Sequence, residues 1–244
     1  MELIPARLGG RVFRQEVRAG LADCAPSGRV RLDALARWIQ DVAYADVEDA
    51  GVADRAAWVV RRARVRVRRF PRFGEHLDVA TFCSGFGRMW AERRTSISRV
   101  GGADGAGAGE VEAVALWVHL DPVARLPSPL TAEEVAIYAA SAGDRRITAR
   151  LRHPAPGNVQ RSFPWRFRET ECDLAGHINN AAYWQPLEEE LLADGEPEAI
   201  DVEIEFRTPA QPGQKTVLCD GARRWIVGDA GETHASVRLA AVDG

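Results

Sequence analysis

The sequence predicts an α+β protein made twice from one unit, a curled antiparallel sheet around a long central helix. Three observations predict it. Two stretches about 150 residues apart carry the same features in the same order. Each contains one apolar stripe at helical spacing. Each stripe is followed by alternating runs punctuated by Pro and Gly. A helix of five or six turns must bury its stripe, and the sheet that follows it is the available partner.

The opening strands come first. RVFRQEVRAGLADCAPSG (11–28) stands beside RSFPWRFRETECDLAG (161–176), with Val17-Arg18 matching Phe167-Arg168, Asp23 matching Asp173, and Gly28 matching Gly176. Helices follow. Leu32, Leu35, Ile39 and Val42 form one stripe, Tyr183, Leu187 and Leu191 the other, and Gly51 and Gly195 supply the stops. Residues 63–82 then answer 202–219, each two runs joined by Pro and Gly. GRMWAERRTSISRV (87–100) answers ARRWIVGDAGETHASV (222–237), aligning Trp90 with Trp225. AVALWVHLD (113–121) answers ASVRLAAVD (235–243), aligning Asp121 with Asp243. The spacing between copies shrinks along the chain, as shorter loops in the second copy require. GGADGAGAG (101–109) reads as a hairpin tip present only in the first. Residues 131–160, with TAEEVAIYAA and then HPAPG, read as a crossover linker. The expected organisation is a domain over 1–130, a linker over 131–160 and a second domain over 161–244.

Composition narrows the function. Hydrophobic residues make up 46% and charged residues 27% of the 244, an ordinary globular balance. A net charge of −3 argues against bulk nucleic-acid binding. No apolar run reaches the length of a membrane span, and the N-terminus shows no apolar signal core, so a cytoplasmic location is expected. Cys24, Cys83, Cys172 and Cys219 are scattered without a CxxC pair, which favours reduced thiols over a metal site; no cofactor is expected.

One short stretch departs from the needs of folding. DLAGHINN (173–180) packs an Asp, a Gly-His pair and two Asn into a helix start. Asn179 or Asn180 suits an N-cap and Asp173 suits a turn, but His177 has no such local reason. The first copy has Arg29-Val30-Arg31-Leu32 where the second has His-Ile-Asn-Asn, so it lacks both the imidazole and the Asn pair.

DLAGHINNAAYWQPLEEEL resembles the signature of acyl-acyl carrier protein thioesterases, in which an Asp precedes His-Val-Asn-Asn and a Tyr follows. The Gln40-Asp41 helix segment, RRFPRFGEHLDVATF and GRMWAERR resemble the family's first domain. The resemblance spans roughly residues 11–243. It implies two tandem hotdog domains and hydrolysis of fatty acyl-acyl carrier protein. It also places Asp173 and His177 at the catalytic positions and Asn179 and Asn180 at a positioning pair. The chemistry is compatible: a carboxylate and an imidazole supply a nucleophile or base, and helix N-terminal amides with close backbone approach at Gly176 polarise the thioester.

Two departures stand out. Ala175 occupies a position that is usually Asn, and Pro209-Ala210 falls where an acidic residue is usual, leaving Glu189 or Glu203 as candidate substitutes. By the same resemblance the first domain houses the acyl chain, with Leu35, Trp38, Ile39 and Val42 as candidate lining; core packing explains each of them equally well. Arg62, Arg64, Arg66 and Arg68 alternate along one strand face, which suits either docking of an acidic carrier or a solvated face. The expected partners are a carrier-protein or coenzyme A thioester and its fatty acyl chain, with neither nucleic acid nor membrane, in a monomer or homodimer. The alternatives are an acyl-CoA thioesterase, a non-catalytic or weakly active acyl-binding protein and, on weaker grounds, a dehydratase of hydroxyacyl thioesters.

Overall fold

A computed structural model of the chain describes residues 1–101, 110–157 and 159–240. Most of the Gly/Ala stretch expected as a hairpin tip (residues 102–109), and Asp243 of the repeat, lie outside the described residues.

The first half comprises β1 (Phe13–Arg18), α1 (Leu32–Asp49), β2 (Ala57–Val67), β3 (His76–Phe86), β4 (Trp90–Arg99) and β5 (Val111–Leu120). After α2 (Ala132–Ala142), the second half comprises β6 (Arg161–Phe167), α3 (Gln185–Asp194), β7 (Ile200–Phe206), β8 (Gly213–Asp220), β9 (Arg223–Val227) and β10 (Thr233–Ala240). The ten strands of the described residues form one sheet in the order β1-β3-β4-β5-β2-β7-β10-β9-β8-β6. The second half mirrors the first, and β2 pairs antiparallel with β7 where they meet.

The repeat is therefore present, but several of its alignments shift. Val17 opposite Leu77 answers Trp165 opposite Lys215, so the opening strands match two residues away from the Val17-Arg18 and Phe167-Arg168 alignment. Ala25 N–H bonds to Arg29 O, Val30 N–H to Pro71 O and Arg31 N–H to Asp23 O. The second half repeats these as Asp173 to His177, Ile178 to Ala210 and Asn179 to Glu171. Asp173 thus corresponds to Ala25, and Asp23 to Glu171. Both of the latter accept a backbone N–H three residues upstream, from Gly20 and Arg168 respectively. The first half lacks the carboxylate as well as the imidazole. Likewise, Ile226 lies between Val217 and Ala235 as Ile97 lies between Val79 and Val111, so Trp225 corresponds to Ser96 and not to Trp90. β9 has five residues against ten in β4, and that shortening misleads a sequence alignment.

α1 is 18 residues long, five turns, and buries Leu32, Leu35, Trp38, Ile39 and Val42. The second helix is shorter than expected. A 3-10 turn over Asn180–Trp184 precedes α3, which has 10 residues. Pro186 has no N–H and is tolerated only in a first helical turn, so the regular helix starts there. Tyr183, Trp184 and Leu187 join the α1 stripe and the inward residues Val65, Val67, Val202, Ile204 and Phe206 in one core spanning both halves.

On the opposite sheet face, β2 and β7 carry complementary charge. Arg62, Arg64 and Arg66 stand opposite Glu205, Glu203 and Asp201. Arg62 bonds to Glu203 at 2.6 Å, and Arg64 and Arg66 to Asp201 at 2.6 and 2.9 Å. The row expected as a docking or solvated face is therefore largely internal: Arg62 is buried, Arg64 and Arg66 are half-buried, and Arg68 alone of the four is exposed. The crossover segment runs over this face. Glu205, fully buried, accepts the backbone N–H groups of Arg152 and His153 at 2.6 and 3.0 Å. The Trp90 indole donates to Ile147 O and the Trp225 indole to Pro154 O, both at 2.9 Å.

Candidate active site

The stretch 173–180 folds as a tight turn before the second helix. Cys172 and Ile178 bridge it, and Gly176 takes φ +77°, a conformation that costs glycine little. Asp173 accepts Ala175 N–H at 2.9 Å through Oδ1 and Asn179 Nδ2 at 3.2 Å through Oδ2. Asn179 Oδ1 in turn accepts Ala181 N–H at 2.9 Å, capping the 3-10 turn, and Gln40 Nε2 of α1 at 3.1 Å. One Asn thereby fixes the carboxylate, the helix start and the opposite half of the molecule. His177 Nδ1 lies 4.0 Å from Asp173 Oδ1, too far for a hydrogen bond but close enough for charge coupling. The Asp173 and His177 side chains remain 29% and 24% exposed, but His177 Nδ1 itself is buried and, among the described residues, without a hydrogen-bond partner.

Several expectations change at this level. The Gly176 N–H is donated to Asp173 O and its carbonyl accepts Gln211 Nε2, so Gly176 shapes the turn and its amide is already engaged. Asn180 borders a narrow gap of about 30 Å³ between α1, the 3-10 turn and the sheet, with Gln40, Trp117 and Trp184. Pro209-Ala210 braces the turn through backbone alone: Ala210 O accepts Ile178 N–H, and Ala210 N–H donates to Tyr183 Oη at 2.8 Å. Burial raises the Tyr183 phenol to about 12, against the pull of that hydrogen bond. Neither proposed substitute acid is placed to act. Glu203 lies on the far face of the sheet, held by Arg62 and His153, and Glu189 is exposed on α3.

Asp173, Leu174 and Ala175 form one edge of an apolar cavity of about 380 Å³, within the usual size of a small-molecule site. The remaining wall comes from the first half and the connecting segment: Ala43, Tyr44 and Val47 of α1, Phe86 of β3, Trp117 of β5, and Leu130 and Tyr138 around α2. Leu35, Trp38, Ile39 and Val42, the expected lining, do not border it. They are buried core, and Ile39 borders only the narrow gap. The cavity lies further along α1 and is closed by α2, which packs against Cys83 and Phe86. The segment expected as a linker thus supplies a wall of the pocket.

The mirror-related position is filled with charge. Arg29 pairs with Glu188 and Glu196, Arg31 with Asp33 at 2.9 Å, and Arg37 with Asp23. Glu188 also accepts Leu32 N–H at 2.9 Å, capping α1 from the other half.

The profile of the acyl-ACP thioesterase N-terminal domain matches residues 10–138, more than half of the chain. The chain belongs to the acyl-ACP thioesterase family. Solved structures extend the likeness over both halves. An acyl-ACP thioesterase from Bacteroides thetaiotaomicron VPI-5482 superposes with a TM-score of 0.75 at 16% identity, covering 93% of this chain and 96% of that one. The 12:0-ACP thioesterase from Umbellularia californica gives 0.72 at 18% identity, covering 96% and 98%. The fold of this family member is the tandem hotdog. Among curated sequences, the uncharacterized protein Rv2001 of Mycobacterium tuberculosis H37Rv is 24% identical over 220 residues, covering 89% of this chain and 86% of its own length. Among the described residues, no helix is long and apolar enough to cross a membrane.

Sequence reasoning missed Gln211, Trp117 and Tyr138 as residues of this region and quoted Gln40 only for its family likeness. Gln40 is a polar residue one position after Ile39 on the buried stripe, a signal of a buried polar partner. The other three carry no local signal.

Proposed function

We propose that this family member hydrolyses fatty acyl-acyl carrier protein to a free fatty acid and the carrier thiol. The observation that carries the reading is the position of Asp173: its carboxylate is fixed by Asn179 at the edge of an apolar cavity. In this scheme the acyl chain occupies the first half and the thioester lies across the 173–177 turn. Asp173 takes a proton from water, and the water oxygen adds to the thioester carbonyl carbon. The tetrahedral adduct collapses, the C–S bond breaks, and the departing thiolate recovers the proton. His177 orients the carboxylate or shuttles that proton. The partial positive charge of the helix start polarises the carbonyl.

The test is release of free thiol from a panel of carrier-protein and coenzyme A thioesters. Asp173→Asn and His177→Ala are each expected to lower turnover at least about 100-fold while circular dichroism stays unchanged. Full activity in both variants would refute the assignment. A coenzyme A preference would make this an acyl-CoA thioesterase instead. A second reading, acyl binding without turnover, is supported by Pro209-Ala210, whose backbone is locked against the turn and offers no proton-transfer group. Fatty acid binding without hydrolysis of any thioester would select it.

A further inference from the structure

The rim of the apolar cavity carries a cation with no partner among the described residues. Two arginines border the cavity, Arg93 and Arg125. Arg93 is buried and bonds to Asp46 at 2.5 Å. Arg125 is exposed, and among the described residues no hydrogen bond or ion pair engages its guanidinium. The acids of the same wall are already engaged. Glu134 accepts from Thr131 and meets His119 at 3.1 Å, and Asp173 is held by Asn179.

The backbone of Arg125 supplies a second, independent observation. Its φ is +56°, and among the described residues it is the one residue other than glycine in the left-handed region. That conformation favours glycine and costs an arginine free energy. The loop after β5 imposes it. Asp121 Oδ1 accepts the N–H groups of Val123 and Ala124 at 2.9 and 2.6 Å, and Asp121 O accepts Arg125 N–H at 2.9 Å. Asp121 N–H donates in turn to Leu126 O at 2.9 Å. A strained residue in a fixed loop, neither buried nor paired, points to a ligand from outside the chain.

Exposure divides the cavity into floor and rim. Cys83, Phe86 and Tyr138 are buried, whereas Tyr44, Leu174 and Arg125 are exposed. An acyl chain belongs on the apolar floor, so the other side of the thioester, the pantetheine arm, leaves across the rim. Carrier proteins and coenzyme A both attach that arm through a phosphate. We propose that Arg125 binds the phosphate of the phosphopantetheine arm. A guanidinium offers paired N–H donors that match phosphate oxygens, and the charges are opposite. The inference rests on the thioesterase reading of the site. Arg125 is a binding residue in this account and takes no part in bond cleavage.

The test compares thioesters of one acyl group on pantetheine, phosphopantetheine, coenzyme A and the carrier protein. The wild type is expected to show a kcat/KM about five- to tenfold higher for the phosphopantetheine ester than for the pantetheine ester. That advantage should shrink as salt rises. Arg125→Gln should collapse the ratio and weaken the carrier-protein and coenzyme A esters alike. Arg125→Gly should collapse it too, with a Tm equal to or above wild type, because glycine relieves the left-handed backbone. Equal losses on the pantetheine and phosphopantetheine esters, or a wild type indifferent to the phosphate, would overturn the proposal. A loss confined to the coenzyme A ester would also overturn it, by placing Arg125 on the nucleotide. Calorimetry with the uncleavable thioethers separates it from the hydrolysis reading. If no thioester is cleaved yet the phosphorylated thioether binds tighter than its dephosphorylated twin in the wild type and not in Arg125→Gln, the phosphate site stands and hydrolysis fails. Equal binding of the two thioethers by the wild type sinks the phosphate site.

Discussion

Asn179 concentrates more of the site than any other residue. Its side chain restrains Asp173, caps the turn that starts the second helix, and accepts Gln40 from α1. Asn179→Ala should lose about 1 kcal/mol from the cap alone and release the carboxylate, lowering turnover about tenfold or more. Asn179→Asp keeps an acceptor for Ala181 but sets a second negative charge beside Asp173. It should therefore hold its thermal stability closer to wild type while losing as much activity. If both variants lose stability and activity in proportion, Asn179 is only a cap. The capping role was legible in the sequence, because Asn before a helical stripe is a strong local pattern. Its link to Gln40 was not, since nothing local relates residues 139 positions apart. The first half's apparent Asp illustrates the opposite error. Asp23 and Asp173 match by eye, but the hydrogen-bond pattern pairs Asp173 with Ala25.

Among elements, β2 and β7 show how a strand pair encodes its partner. The alternating cations of RRARVRV and the alternating acids of DVEIEF each look like a solvated face when read alone. Together they are a ladder whose members stand directly opposite one another. The Glu203 carboxyl feels burial first, which would raise its pKa, but hydrogen bonds from His153 and Arg62 and the nearby positive charges hold it well below the usual range. Asp201 is displaced the same way by Arg64 and Arg66, against the same burial. A depressed carboxyl stabilises the fold fully above its unfolded value, about 4.3 for Glu, and loses that contribution as pH falls toward its folded value. Glu203→Gln should accordingly cost about 3 kcal/mol near neutrality, by leaving the buried Arg62 with only the more distant Glu205 carboxylate at 3.7 Å. The gap in Tm between variant and wild type should narrow below about pH 4. A gap that stays constant into acid would show that the charge of Glu203 is not what the ladder uses. α2 was harder to read. Its helical pattern was visible, but its wall of the cavity depends on Cys83 and Phe86, residues about 50 positions upstream.

At the scale of the molecule, the sequence carried the doubling of the fold and the loss of the imidazole and Asn pair from the first copy, but not the shapes of the two equivalent sites. One is open and apolar beside Asp173; the other is closed by Arg29, Glu188 and Glu196. That asymmetry arises from side chains that meet only after the halves join. The crossover has a consequence of its own. Residues 144–157 lie across the sheet face opposite the helices, anchored to one half through Trp90 and to the other through Trp225 and Glu205. The two halves touch through a strand pair, a common core and a charge ladder, so the covalent link between them is not what holds them together. A single protease cut within 148–151 should therefore yield two fragments that migrate as one species in gel filtration and separate only in denaturant. Fragments that drift apart in buffer would show that the peptide itself is the clasp. On the expected outcome, the halves of this chain are two proteins that happen to be translated as one.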